Sequence, residues 1–113
     1  MGLSSYLFGK SSEDRACEYL KTLGFRILER NFRSRFGEID IIALDENDIL
    51  CFVEVKASGI GYDATFRLTR QKYSKILKTI NFYLLKNGAD YDFEISLLVI
   101  NNDNFDLIRN LSL

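Results

Sequence analysis

A chain of 113 residues, 47 % apolar and 27 % charged, has the size and composition of one soluble globular domain spanning 1–113. With no histidine, no proline and two cysteines, it excludes His-based acid–base chemistry, Ser-His and Cys-His triads, most zinc sites and a disulfide framework. A net charge of −1 gives no global basic excess, no apolar run reaches the roughly 18 residues of a membrane span, and no charged stretch precedes an apolar core at the N-terminus, so a cytoplasmic domain is expected.

The first element is predicted as a helix. Ser11 and Asp14 have capping-box spacing, and a start near Ser4 is also compatible. Ala16, Leu20 and Leu23 recur at helical spacing with Cys17 and Tyr19 beside them, and Gly24 is a natural stop. Residues 25–32 read as a strand with Phe25, Ile27 and Leu28 inward, and 33–37 as a turn. Residues 38–44 and 50–56 read as a hairpin with largely apolar faces: Ile39, Ile41, Ala43, Cys51, Val53 and Val55 on one, Ile42, Leu44, Leu50 and Phe52 on the other. A loop with two glycines over 57–66 leads to a long helix over 67–87. Its apolar stripe is Tyr73, Ile76, Leu77, Ile80, Tyr83 and Leu84, and its basic side Lys72, Lys75, Lys78 and Lys86. Strands over 91–100 and 105–109 close the chain around an Asn-Asn-Asp-Asn turn. The order is αβββαββ, with helices able to cover opposite faces of one mixed sheet.

Within the hairpin, Asp40, Glu54 and Lys56 interrupt the apolar pattern, and charge on a covered strand is costly unless paired or bound to an ion. If Leu44 faces Leu50 across a 45–49 loop, counting back places Asp40 opposite Glu54, with Lys56 on the same face. A slip of one residue would send Asp40 to the other face. Two carboxylates in that position suit a hard divalent cation such as Mg²⁺. A Glu54–Lys56 ion pair, with Asp40 accepting backbone hydrogen bonds, is the structural alternative. Charge is also unevenly spread along the chain. Residues 64–89 hold Arg67, Arg70, Lys72, Lys75, Lys78 and Lys86 and no acid, a net of +6, whereas residues 90–113 have a net of −4. Arg26, Arg30, Arg33 and Arg35 form a second basic group. Such a face is either a phosphate-binding surface or a solvated helix flank.

Asp40, then thirteen residues, then Glu54-Val55-Lys56 resembles the PD-(D/E)XK nuclease signature. Glu13-Asp14, Gly24-Phe25-Arg26-Ile27-Leu28, Arg30-Asn31, Gly37-Glu38-Ile39-Asp40-Ile41-Ile42-Ala43 and Phe52-Val53-Glu54-Val55-Lys56 together resemble the YraN family. That is a bacterial group of predicted endonucleases related in fold to archaeal Holliday-junction resolvases. The resemblance covers about residues 9–100 and is most specific over 37–56.

It implies an α/β, restriction-endonuclease-like αβββαβ core with a mixed sheet flanked by helices on both faces. It implies that Asp40 and Glu54 ligate Mg²⁺ or Mn²⁺, with the Val55 carbonyl as a third oxygen. Lys56 would orient the attacking water or offset phosphate charge, and Glu13 would reach the same site through a water. Glu38 would shape the turn or contact a partner, and Lys72 would contact phosphate; Arg67, Arg70 and Lys75 of the same basic run are the further phosphate-contact candidates that the charge pattern offers. Departures from the family pattern are Ser12 for a glycine, Ser58 for an arginine and Glu94 for an aspartate. The implied function is metal-dependent hydrolysis of phosphodiester bonds in DNA, including branched or flapped forms, with a homodimer as the form that cuts both strands. The alternative is a non-catalytic nucleic-acid- or protein-binding module that keeps the fold.

Overall fold

Five strand-forming runs pair into one sheet, and the computed structural model describes them and two helices over residues 12–58, 69–87 and 90–111. Helix α1 (Ser12–Thr22) is followed by β1 (Arg26–Ser34), β2 (Gly37–Leu44) and β3 (Leu50–Ser58). Helix α2 (Arg70–Asn87), β4 (Phe93–Asn101) and β5 (Asn104–Ile108) complete the order. The sheet runs β1-β2-β3-β4-β5. Only β3 and β4 are parallel, because only they are joined through a helix rather than a short turn. The α/β architecture with a mixed sheet and a helix on each face is the one the sequence predicts.

Helix α1 ends as its glycine dictates. Gly24 adopts φ 94°, the Phe25 N–H reaches the Leu20 carbonyl (3.0 Å) and the Gly24 N–H reaches that of Lys21 (3.0 Å), a Schellman closure. Ala16, Cys17 and Leu20 are buried against Ile41, Ala43, Cys51, Val53, Leu98 and Ile100. Helix α2 covers the other face, where Ile80 and Tyr83 pack on Phe32, Ile42, Leu44, Leu50, Phe52 and Ile95. Each such fully buried side chain is worth about 1.5–3 kcal/mol of transfer free energy. The proposed cap at Ser11 and the loop over 59–68, which includes Arg67, lie outside the described residues.

Three expected core positions are corrected. Leu23 is 40 % exposed because α1 has already ended, and Leu77 is 36 % exposed at the margin of its stripe. Leu28 is 40 % exposed because the β1–β2 register shifts between Ile27 and Glu29, leaving Leu28 as the extra residue of a bulge. Conversely, Thr79 is buried (1 % exposed) where only apolar residues were expected. Its hydroxyl is satisfied by the Lys75 carbonyl (3.0 Å) and Ser34 Oγ (3.1 Å).

The correction with most bearing on the site concerns Ile39. Two-residue alternation puts it with Ile41 and Ala43, yet Ile39 packs under α2 while Ile41 and Ala43 pack under α1. The partner strand changes face at the same level. Arg30 pairs with Ile41, Phe32 pairs with Ile39, and Asn31 between them adopts φ 53°. Asparagine tolerates this left-handed conformation better than most residues, and here the Asn31 amide donates to Glu13 Oε1 of α1 (2.8 Å). The break in alternation therefore falls at Asn31 and, across the ladder, at Asp40.

Candidate metal centre

The hairpin closes in the register predicted, with Leu44 opposite Leu50 and Ile41 opposite Val53. The next pair would be Asp40 and Glu54, and there the ladder stops. One carboxylate oxygen of Asp40 accepts the Val55 N–H at 2.8 Å, replacing the strand carbonyl that would otherwise take it. Beyond this point β3 continues to Ser58 paired only with β4, from Glu54↔Leu97 to Ser58↔Asn101. The sheet thus forks at the two acidic residues. Half-buried Asp40 and Glu54 sit in the fork, and exposed Lys56 lies two residues beyond.

Glu54 is held in an environment hostile to its charge. Ile39, Phe52, Ile76 and Ile95 border a small space of about 10 Å³ against it. Burial pushes its carboxyl up to about 8, reinforced by the hydrogen bond to Asp40 and the charge of Asp40. Lys56 opposes this, and Glu38 adds to it. Glu54 therefore keeps its proton near neutrality, hydrogen-bonded to Asp40. A pair of oxygen donors that can meet only by retaining a proton fits a hard divalent cation, which would displace that proton. Asp40 and Glu54 would hold it.

This has a pH signature. The folded pKa of Glu54 is raised above its unfolded value, so the folded state binds the extra proton between about pH 4.5 and 8. Metal-free stability is therefore expected to fall as pH rises through that window, and Asp40→Asn should flatten the slope. Mn²⁺ affinity is expected to change oppositely, rising about tenfold per pH unit below pH 8 and levelling above it, with about one proton released per ion. Calorimetric titration in buffers of different ionisation enthalpy measures both.

A cavity of about 210 Å³ opens over Glu54 and Lys56, and Phe36, Gly37, Glu38, Lys72, Lys75, Ile76 and Thr79 complete its walls. Four expected residues, Glu54, Lys56, Lys72 and Lys75, thus share one cavity. Arg70 instead lines a neighbouring groove of about 480 Å³ with Tyr73, Ser74, Leu77, Lys78 and Phe93. Glu13 is engaged elsewhere: Oε1 accepts from Arg30 Nε (3.0 Å) and Asn31 Nδ2 (2.8 Å), while Arg30 also pairs with Asp14. Glu13 is thereby tied to the residue opposite Asp40 rather than to Asp40 itself. Glu38 pairs with Arg33 at 3.1 Å on the exposed strand end, a contact of little energetic weight. Val55 contributes its N–H to Asp40.

A second acidic group, unmarked by sequence reasoning except as the Glu94 departure, lies at the other end of β3. Donor atoms of Asp45, Cys51 and Glu94 lie within 4.8 Å of one another, a set of types that can hold a metal ion. Arg109 already lies among them. It donates to Asp45 Oδ2 (2.6 Å), to Glu94 Oε1 (2.7 Å from Nε) and to Cys51 Sγ (3.4 Å). Burial pushes the Cys51 thiol up to about 12, so it is not a thiolate ligand at neutral pH. The guanidinium thus supplies the positive charge a metal would bring. Cys51 lies three residues from Glu54 and packs under the opposite helix, so the two acidic groups are separate.

Residues 12–109 match the family model described as "Uncharacterised protein family UPF0102". The chain is 65 % identical to a UPF0102 protein of Campylobacter concisus, over 113 residues and the whole of both chains. It is 50 % identical to one of Campylobacter hominis over the whole of both chains. With a UPF0102 protein of Campylobacter jejuni subsp. jejuni the identity is 53 % over 112 residues, 99 % of each. The chain therefore belongs to the UPF0102 family, the YraN group its sequence resembles.

Proposed function

We propose that this chain is a metal-dependent nuclease that hydrolyses phosphodiester bonds in DNA, with Asp40, Glu54 and Lys56 as its catalytic core and Mg²⁺ or Mn²⁺ as its cofactor. The observation that carries this reading is the fork between β2 and β3, where the Asp40 and Glu54 carboxyls meet beside a cavity lined by Lys56, Lys72 and Lys75. A divalent cation bound there would supply Lewis-acid stabilisation of phosphoryl charge and a more acidic water. Asp40 is fixed by the Val55 N–H and is hydrogen-bonded to Glu54. Lys56 stands where its ammonium can offset charge on the phosphoryl oxygens or exchange a proton with water. Lys72 and Lys75, which line the same cavity from one flank of α2, would contact backbone phosphates.

The purified full chain with Mg²⁺ or Mn²⁺ is expected to cut DNA, and cleavage that persists in Lys56→Ala protein would contradict the assignment. The net charge of −1 favours a second reading, a non-catalytic module in which the basic flank alone binds. Metal binding without turnover by any DNA form would select it. In either case the flank leaves a salt signature. Log affinity should fall with log salt concentration by about 0.9 per phosphate contacted. Lys72→Ala and Lys75→Ala should each make that slope shallower by about 1, read by fluorescence anisotropy across a salt series.

A further inference from the structure

We propose that Phe36 is a stacking platform for an unpaired base of the DNA substrate, so that the cavity over Glu54 and Lys56 takes a strand only where a nucleotide has left the duplex. This rests on the nuclease reading and specifies its substrate class: single-stranded, flapped or branched DNA.

Phe36 occupies one of the two positions of the Arg35-Phe36 turn between β1 and β2. It belongs to neither apolar core, although it is half-buried. One side of it forms a wall of the cavity that also contains Glu54 and Lys56. Cations surround the ring: Arg35 lies 5.0 Å and Lys78 5.8 Å from its centroid, and Lys72 and Lys75 line the same cavity. An aromatic ring among lysines and arginines, with no core to fill, is the pattern that holds single-stranded nucleic acid: bases on the ring, phosphates on the cations.

The turn is also stiff enough to act as a platform. The Phe36 N–H donates to Ser34 Oγ (3.1 Å), and Ser34 Oγ is hydrogen-bonded to the buried Thr79 of α2 (3.1 Å). Gly37, at φ 154°, supplies a backbone conformation other residues rarely adopt and lets the chain re-enter β2 directly. The turn's backbone at Phe36 is therefore tied, through Ser34 and Thr79, to the helix that carries the lysines.

Both cations over the ring are exposed. An exposed cation–π contact is weaker than a base–aromatic stack, so a base displaces one of them. The displaced Arg35 or Lys78 then meets the phosphate of the same nucleotide. Bases inside a duplex are stacked on one another and cannot offer a face to Phe36, so the nucleotide must be unpaired.

The test compares affinities for a 5′-flap oligonucleotide and a fully paired duplex of the same length, in EDTA to prevent cutting, by fluorescence anisotropy. The wild-type chain is expected to prefer the flap. Phe36→Ala and the bulk-retaining Phe36→Leu should lower the flap-to-duplex affinity ratio by about 5- to 100-fold, while Phe36→Trp preserves it. Photo-crosslinking from 5-iododeoxyuridine at the flap junction should label Phe36. An unchanged ratio in Phe36→Leu protein that still shows Asp40-dependent cleavage would overturn the platform and leave the nuclease reading standing. Absence of binding to any DNA by the wild-type chain would overturn both.

Discussion

Asp40→Asn protein is expected to stay folded, lose its divalent-metal site and lose at least about 10³-fold in DNA cleavage rate, since a catalytic metal contributes several kcal/mol to the transition state. Asparagine retains an oxygen that can accept the Val55 N–H, so the fork should keep its shape. It removes one charge from a crowded acidic pair, so Glu54 should titrate closer to an ordinary carboxylate and thermal stability should hold or rise above pH 7. Asp40→Ala is less clean. It leaves the Val55 N–H without its acceptor, which costs about 1–3 kcal/mol if water does not replace it. Metal titration, a thermal melt and single-turnover cleavage on the same preparations separate these effects. Loss of cleavage with unaltered Mn²⁺ affinity would contradict the shared-cation assignment.

Arg109→Ala is expected to have the largest effect on stability of any surface-accessible change, with no direct effect on the metal site. The substitution leaves two carboxylates without their cation. Asp45 and Glu94 have side chains only 3 % and 13 % exposed. Breaking a buried pair from one side costs about 3–5 kcal/mol, and Arg109 is itself 38 % exposed, so water fills part of the gap and about 2–4 kcal/mol is expected. For a domain of this size that lowers the melting temperature by roughly 10–20 °C. Burial raises the Asp45 pKa, but the hydrogen bond from Arg109 and those from the Ile49 and Asn47 N–H groups outweigh it, and the net shift is downward. A depressed carboxyl contributes stability above its unfolded pKa and loses it as pH falls through the folded value. The variant's deficit should therefore be full near neutrality and shrink in acid. Arg109→Lys should recover only part, because an ammonium cannot present the fork of donors that meets Asp45, Glu94 and Cys51 together. Urea denaturation at two pH values measures all three.

Much of the site was readable because its determinants are local. The 45–49 loop sets Leu44 against Leu50, and once that pair is fixed, period two carries Asp40 to Glu54 and Lys56 to the same side. What could not be read depends on contacts distant in sequence. Ile39 changes face because Asn31, on another strand, takes a left-handed conformation, and no alternation within β2 reveals that. Arg109 lies 64 residues from Asp45, so their pairing appears only once β3, β4 and β5 are assembled. Thr79 is absent from the predicted stripe, and its burial depends on a hydroxyl satisfied by its own helix and by Ser34 of β1. Phe36 was read as part of a turn. Arg35 beside it is adjacent in sequence, but Lys78, which shares its ring, comes from α2 and is brought there only by the fold.

The fork also accounts for why a chain this small can place acids and lysines together. Strand β3 must leave β2 to continue beside β4, and the departure exposes backbone groups that something must satisfy. Asp40 does so with one oxygen, which fixes the other relative to Glu54. A structural requirement of the sheet thus fixes the Asp40 carboxylate beside Glu54.

The central claim is that Asp40 and Glu54 share one divalent cation, and a crystal of the full chain soaked in Mn²⁺ tests it most directly through anomalous scattering. The account predicts a single strong peak in the β2–β3 fork, within coordination distance of an oxygen from each of the two residues, and no such peak in Asp40→Asn crystals. A peak only at Asp45 and Glu94, or no peak in the fork at saturating Mn²⁺, would contradict it.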